Sequence, residues 1–273
     1  MRRVGHHVHE RYVIEVKRSF MPIAAATLLA GLIGTIVGSF IGLIADRWPR
    51  GESIVAGRSH CSSCKRPLQW LELIPIISFC ILRARCRHCR AVLPIDLLLA
   101  EIGCGGAAIL ALACGDGFPA IAALALLGWT LILVALLDAR HLWLPDAITL
   151  PLGAAGVASA AVLPALLLPE RVICAAAGFL SLEALRRADR WLRGREGIGG
   201  GDPKLLAAIG AWLGGSALPL IVLGAAITGL VWAGVLYARK ADIDQTTPLP
   251  LGTFLALSAL CAMPFVYPAI NLH

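Results

Sequence analysis

Charge is scarce in this 273-residue chain: 15% of its residues are charged, 58% are hydrophobic, and its mean hydropathy is +0.80. A soluble domain carries roughly a quarter of its residues charged, so a water-soluble fold is excluded. Also missing are the segments of about ten residues with alternating polarity that build a transmembrane β-barrel. Runs such as 120–137 are continuously apolar instead. What the chain does hold is a succession of apolar stretches of about 18 to 25 residues, long enough to cross about 30 Å of hydrocarbon as helices. The expected fold is an all-α polytopic membrane protein, with the lipid bilayer as its surroundings.

Apolar windows place a first span at 21–45, a hydrophilic insert at 46–94, and further spans near 95–115, 118–138, 147–168 and 171–186. A short helix near 203–214 and spans near 217–237 and 249–270 complete a membrane domain over 95–273. The total is about eight transmembrane helices. Gly214, Gly215 and Ser216 either separate two helices or kink one long one. No internal repeat is evident.

The net charge of +7 would suit nucleic acid, yet the basic residues lie in blocks beside apolar runs, where they act as orientation signals. Nucleic acid is therefore not an expected partner. With the insert inside, 18 Lys and Arg residues fall on the cytoplasmic side and 6 outside, which orients the protein. Five of those six lie in residues 1–20 (Arg2, Arg3, Arg11, Lys17, Arg18) and the sixth is Arg171. Translation starting at Met21, directly before the first apolar run, would make 1–20 an upstream extension; the alternative is a surface-lying segment.

Four of the nine cysteines form two CxxC pairs, Cys61 with Cys64 and Cys86 with Cys89, separated by 21 residues. Two such turns present four thiolates tetrahedrally to Zn²⁺, and Lys65, Arg66, Arg85, Arg87 and Arg90 would offset the negative charge. The role expected is structural, because the insert has too little apolar content to support a core and four thiolates leave no open position on the metal. His60 and His88 adjoin the ligands as alternatives. Thiol redox chemistry would need a βαβ context that is lacking. Cys80, Cys104, Cys114, Cys174 and Cys261 are read as small buried hydrophobes.

An ionised carboxylate in hydrocarbon costs several kcal/mol, so acids at the ends of spans are functional candidates. Asp138 closes the apolar run 131–137, and Asp202 follows Gly197-Ile198-Gly199-Gly200-Gly201. Both fall on the cytoplasmic side and can reach one site. Structural readings compete: Asp202 before Pro203 makes a good helix start, and Asp138 beside Arg140 makes an ordinary interface charge. The glycine cluster lets backbone pass close to a ligand. A phosphate loop is disfavoured, since no strand precedes it and the Walker spacing is absent.

Taken in order, Gly38-Ser39-Phe40, Arg47 to Ser53, Arg58 to Cys61, the two CxxC pairs, Asp138 with Leu144-Pro145-Asp146, and Gly197 to Leu206 resemble the bacterial type IV prepilin peptidases. The resemblance implies an inner-membrane enzyme that cleaves prepilins or type II secretion pseudopilins after the Gly of a short basic leader, on the cytoplasmic side. It also implies that Asp138 and Asp202 are the catalytic pair, Asp202 as the Asp of GxGD. Two neighbouring carboxyls in a poorly solvated site share a proton, so one activates water while the other protonates or polarises the carbonyl. Gly199, Gly201, Lys204, Asp146 and Glu101 are supporting candidates. Asp146 is expected to cap the fourth span, and Lys204 to orient the loop or neutralise Asp202. Glu101 matches a family glutamate, whereas Glu183 is expected to snorkel or to pair with Arg186 or Arg187. Glu52, Glu72 and Glu196 either attract the basic leader or simply form a solvated surface.

Many members of that family also N-methylate the new terminus with S-adenosylmethionine, and here the sequence departs. Ile41-Gly42-Leu43 stands for Leu-Asn-Val, Leu71-Glu72-Leu73 for Tyr-Asp-Asn, Ala84 for Gly, and Asp96-Leu97-Leu98 where Arg-Tyr-Pro is expected. Cleavage is the stronger expectation and methylation the weaker. The rival classes are a transporter binding cations at Asp138, Asp202 and Glu101, and a non-catalytic secretion-assembly factor using the zinc insert.

Overall fold

The computed structural model describes residues 2–55, 59–61, 63–194, 197–239 and 249–268; Arg58 and Glu196 lie outside them. Among the described residues no strand forms, and nine α-helices follow one another: α1 Arg2–Arg47, α2 Ile77–Ile81, α3 Ile95–Cys114, α4 Phe118–His141, α5 Asp146–Ala158, α6 Leu168–Arg193, α7 Asp202–Leu213, α8 Leu218–Ala238 and α9 Leu251–Val266. Pro119, Pro169, Pro203 and Pro219 stand in the first turns of α4, α6, α7 and α8, where a missing N–H costs no hydrogen bond. Gly214, at φ +76°, ends α7, so α7 and α8 are separate helices and not one bent one.

Four stretches are long and apolar enough to cross a membrane: Ile23–Arg50, Ile95–Cys114, Phe118–His141 and Leu218–Ala238. The others fall short for distinct reasons. The segment Asp146–Ala161 and helix α9 are apolar but short. Helix α7 has 12 residues, a rise of about 18 Å. Helix α6 is long enough, but Glu183, Arg186, Arg187, Asp189 and Arg190 make its second half polar. Glu183 does pair as expected, its carboxylate accepting from Arg186 at 2.7 Å and Arg187 at 2.8 Å.

Close helix contacts depend on residues without side chains. Added Cβ atoms on Gly34, Gly38 and Gly42 of α1 would fall 2.3 Å, 2.5 Å and 2.8 Å from Cys104 O, Ala100 O and Leu97 Cδ2 of α3. This spacing of four residues is the small-xxx-small seam that lets membrane helices approach through their backbones. Helices α6 and α7 do likewise, Gly178 lying against Leu206 O and Gly210 against Cys174 O. Around α7 the core is dense: Leu205, Ile209 and Leu213 have no exposed surface. Of the cysteines read as buried, Cys104, Cys114 and Cys174 are so, while Cys80 and Cys261 are exposed.

Arg171, counted above only as a topology signal, is wholly buried. Its guanidinium donates to Leu163 O at 2.8 Å, Leu166 O at 3.2 Å, Gly156 O at 3.1 Å, Ala211 O at 3.0 Å and Ser159 Oγ at 2.9 Å. These acceptors lie at the C-terminal ends of α5 and α7 and in the following turns, so one side chain satisfies carbonyls that the helix ends leave unpaired. The start of both helices, at the other end of the bundle, is thereby set.

Candidate active site

At that other end four chain segments converge. Asp138 stands one turn before the end of α4, and its backbone carbonyl accepts the N–H of Leu142, whose left-handed conformation (φ 50°) turns the chain back. Residues 142–145 then cross the mouth of the bundle before α5 begins. The glycine segment 197–201 leads into α7, which Asp202 opens, and Pro250 leads into α9.

Asp138 and Asp202 are each 5% exposed, and Leu144 links them: it lies against Gly201, the residue before Asp202, and against Gly252, which abuts Asp138 Oδ2. Both are held by named donors. Asp138 Oδ2 accepts the Thr253 N–H at 2.7 Å and lies 3.2 Å from the Thr253 hydroxyl, which is also 3.0 Å from Ala135 O. Asp202 Oδ2 accepts the Gly199 N–H at 3.0 Å. Neither structural reading of the aspartates describes this arrangement. No side chain caps α7, whose cap residue is Gly201, and Arg140 turns away from Asp138 to bond Asp96, with Asp46 3.9 Å away.

The glycines act by closeness more than by unusual backbone. Gly201 has ordinary right-handed angles (φ −81°, ψ −30°), but a Cβ there would lie 2.5 Å from Leu144 Cβ. A Cβ on Gly199 would lie 3.1 Å from Asp202 Oδ2. Gly252, which the sequence reading passed over with Thr253, has the same need: its Cβ would meet Leu144 Cδ1 at 2.8 Å and Asp138 Oδ2 at 3.1 Å. The available signal was the helix-start pattern Pro250-Leu251-Gly252-Thr253.

Two supporting residues sit otherwise than expected. Asp146 makes no capping bond at α5; both its oxygens accept from Lys204 Nζ, at 2.6 Å and 2.7 Å. Lys204 accordingly neutralises Asp146 and not Asp202, and the pair ties the first turn of α5 to that of α7. Glu101 engages the insert: its Oε2 accepts the Ile76 N–H at 2.7 Å, fastening the insert to α3 at a residue in a strained conformation (φ 60°).

In the insert the four cysteine sulfurs lie within 4.8 Å of one another, Cys61 and Cys89 being 3.8 Å apart. A tetrahedron of sulfurs about 2.3 Å from zinc has edges of about 3.8 Å, so this donor set fits the metal. His60 and His88 are not part of it. Each CxxC turn is built alike, in a repeat the sequence did not disclose. Cys61 N–H bonds Arg66 O and Lys65 N–H bonds Cys61 O; Cys86 N–H bonds Ala91 O and Arg90 N–H bonds Cys86 O. Lys65 and Arg90 both take left-handed backbone, and the bridges His60–Pro67 and Arg85–Val92 close both turns. Donation from the Cys64 backbone N–H, with Ser63 assisting, holds the Cys61 thiol down to about 6, toward the thiolate that a metal binds.

A cavity of about 200 Å³ separates the insert from the ends of α1, α3 and α4, lined among others by Gly42, Leu43, Glu72, Leu73, Glu101 and Arg140. Arg140 Nη2 is buried there without a hydrogen-bond partner among the described residues. Glu72 bonds the Gln69 N–H at 2.7 Å, and Glu52 is exposed, 3.9 Å from Arg50.

Fold and site together define an integral membrane protein that pairs two sheltered carboxyls at one end of a helical bundle and carries a four-thiol insert between its first long helices. The chain belongs to the type IV leader peptidase family: residues 125–234 match that family, and residues 32–114 match the bacterial peptidase A24 N-terminal domain. It is 35% identical to the prepilin leader peptidase/N-methyltransferase of Burkholderia pseudomallei (strain K96243), over 91% of this chain and 88% of that protein. The like-named proteins of Dickeya chrysanthemi and Aeromonas hydrophila are 36% and 37% identical, covering 83% and 77% of this chain and 88% and 72% of theirs. No solved structure matches the chain.

Proposed function

We propose that this protein is an intramembrane aspartic endopeptidase that removes the basic leader of type IV prepilins or pseudopilins, cutting after the leader's glycine. The observation that carries the reading is the convergence of Asp138 and Asp202, 64 residues apart in sequence, on the two sides of Leu144 in a sheltered site at one end of the bundle. One carboxylate takes a proton from water as the water oxygen attacks the scissile carbonyl, while the other, protonated, donates its proton to the carbonyl oxygen; on collapse of the intermediate the first passes its newly gained proton to the departing amine and the second recovers its own from the hydroxyl. The products are a leader ending in a glycine carboxylate and a pilin with a free N-terminal amine.

Incubation of the purified protein with a prepilin, resolved by mass spectrometry, tests this. Wild type is expected to release the leader and Asp138→Ala and Asp202→Ala to leave it attached; full activity in either variant refutes the assignment. A transporter or an assembly factor would show no cleavage at all.

In the same reading, eight helices lie in a bacterial inner membrane, α5, α7 and α9 being short within the bundle, with the paired aspartates facing the cytoplasm. Residues 1–20 form a basic extension, 21–45 the first span, 46–94 the cysteine insert and 95–273 the peptidase domain. The charge asymmetry of the loops supports that orientation. Zinc, held by Cys61, Cys64, Cys86 and Cys89, orders the insert and takes no part in hydrolysis.

N-methylation of the new amine is the second activity proposed, favoured by Arg140 Nη2, buried in the cavity under the insert and without a partner among the described residues. S-adenosylmethionine would supply a sulfonium methyl there; Arg140 suits its carboxylate, and Glu72 and Glu101 its positive groups. Gly42, Leu43, Glu72 and Leu73, which depart from the methylating pattern, line this same cavity, and this is why methylation ranks below cleavage. Calorimetric titration with S-adenosylhomocysteine measures the pocket directly, and a mass gain of one methylene on the cleaved pilin measures the reaction. Neither signal appearing would remove methylation from the reading.

A further inference from the structure

We infer that Leu144 is the specificity-determining residue that restricts the position before the cut to glycine. The inference rests on the proposed leader cleavage and asks what in this chain enforces its glycine.

Leu144 lies between the two backbone segments that flank the aspartates. On one side it abuts Gly201, where a Cβ would stand 2.5 Å from the leucine Cβ and 3.2 Å from its Cδ1. On the other its Cδ1 abuts Gly252, 2.8 Å from where a Cβ would be, and Asp138 Oδ2 stands 3.1 Å from that same point. A leucine methyl thus borders the space next to the Asp138 carboxyl.

The leucine is fixed in place. Leu142 before it has left-handed backbone, Trp143 meets Trp48 edge to face at 5.5 Å between ring centres, and Pro145 after it is buried. A wall held on both sides cannot swing aside for a bulkier substrate.

Bond geometry then links the wall to selectivity. The scissile carbonyl must sit within reach of both carboxyls. The Cα of the residue that owns it is about 1.5 Å from the carbonyl carbon, and any Cβ about 2.5 Å from it. A side chain at that position would therefore start next to the dyad, where Leu144, Gly201 and Gly252 are already in contact. Glycine adds nothing there; alanine adds a methyl that must displace leucine or move the carbonyl out of reach. One methyl group in a closed apolar pocket is discriminated by roughly 10- to 200-fold.

The experiment compares kcat/KM of the full-length protein on two prepilins that differ only in glycine or alanine before the cut. Wild type is expected to favour glycine by at least about 10-fold. Leu144→Ala is expected to shrink that ratio by a similar factor through faster cleavage of the alanine substrate, whereas Leu144→Met, of similar volume, keeps it. Leu144→Val, which removes one methylene, carries the comparison should the alanine variant not fold, and unchanged Tm identifies folded protein. An unchanged ratio in folded Leu144→Ala or Leu144→Val, or equal cleavage of both substrates by wild type, overturns the inference. Failure of wild type to cut the glycine substrate would instead overturn the proposed function itself.

Discussion

The ion pair between Asp146 and Lys204 yields the most quantitative test of how the site is held together. Lys204 stands two residues after Asp202, and Asp146 opens the helix reached from Asp138 through the segment bearing Leu144. Their pairing therefore braces the two aspartate-bearing segments across 58 residues of sequence. At 2.6 Å and 2.7 Å the geometry is good, but the side chains are 35% and 54% exposed, so solvent screens most of the Coulomb energy. Pairs of this exposure couple by about 0.5–1 kcal/mol, a factor of roughly 2 to 5 in a rate or equilibrium constant. Asp146→Asn, Lys204→Met and the double variant form a double-mutant cycle, read in kcat/KM for leader cleavage and separately in Tm. If the brace positions the aspartates, kcat falls in each single variant with KM little changed, the double variant loses less than the sum, and the coupling weakens as salt is raised toward 1 M. Additivity within about 0.3 kcal/mol would mean that the two residues do not act together, and coupling seen in Tm alone would reduce the pair to a structural tie.

Three further outcomes are expected. Ala84→Gly should stabilise the insert by about 0.5–1 kcal/mol, because Arg83 and Ala84 both adopt left-handed backbone, at φ 50° and 55°, and only glycine does so without cost; slower release of zinc to a chelating dye reports it. Elemental analysis should find one zinc ion per chain, lost in Cys86→Ser, and metal removal should make the insert susceptible to protease while the membrane helices stay protected. Arg171→Met should cost about 3 kcal/mol or more, since four carbonyls and the Ser159 hydroxyl lose their donor at once, and a Tm unchanged within 2 °C would refute that account.

What the sequence made legible was local. Asp138 and Asp202 could be found because each ends a recognisable stretch, an apolar run in one case and a glycine cluster in the other. The four-cysteine cluster was legible because ligand spacing is itself a statement about geometry. Their partners were not, because partners come from tertiary packing: Thr253 reaches Asp138 across 115 residues, and Lys204 finds Asp146 across 58. Helix boundaries followed the prolines and Gly214 closely, but hydropathy treated short helices such as α5 and α9 as full spans, since apolar content alone does not measure length against a bilayer. The Arg171 network was invisible for a further reason: as a lone arginine in apolar sequence it read as a boundary charge, and only the carbonyls converging on it at the ends of α5 and α7 reveal why it is buried.

The glycines bear most directly on how the site works. In a loop as rich in glycine as 197–201, the ready assumption is a need for unusual backbone angles, yet neither Gly199, Gly200 nor Gly201 takes positive φ. Gly201 and Gly252 are small because Leu144 lies against both. The same device operates in the membrane, where Gly34, Gly38 and Gly42 bring α1 onto α3, and Gly178 and Gly210 join α6 to α7. Lipid tails are as apolar as leucine, so helices here gain cohesion from close packing and not from expelling water. The aspartates therefore stand at the end of a framework in which tight apposition fixes position, and the same tightness leaves little room beside them. Rigidity of the pair and narrowness of the site share one cause, so widening the site at Leu144 is also expected to loosen the hold on Asp138 and lower kcat for the glycine substrate.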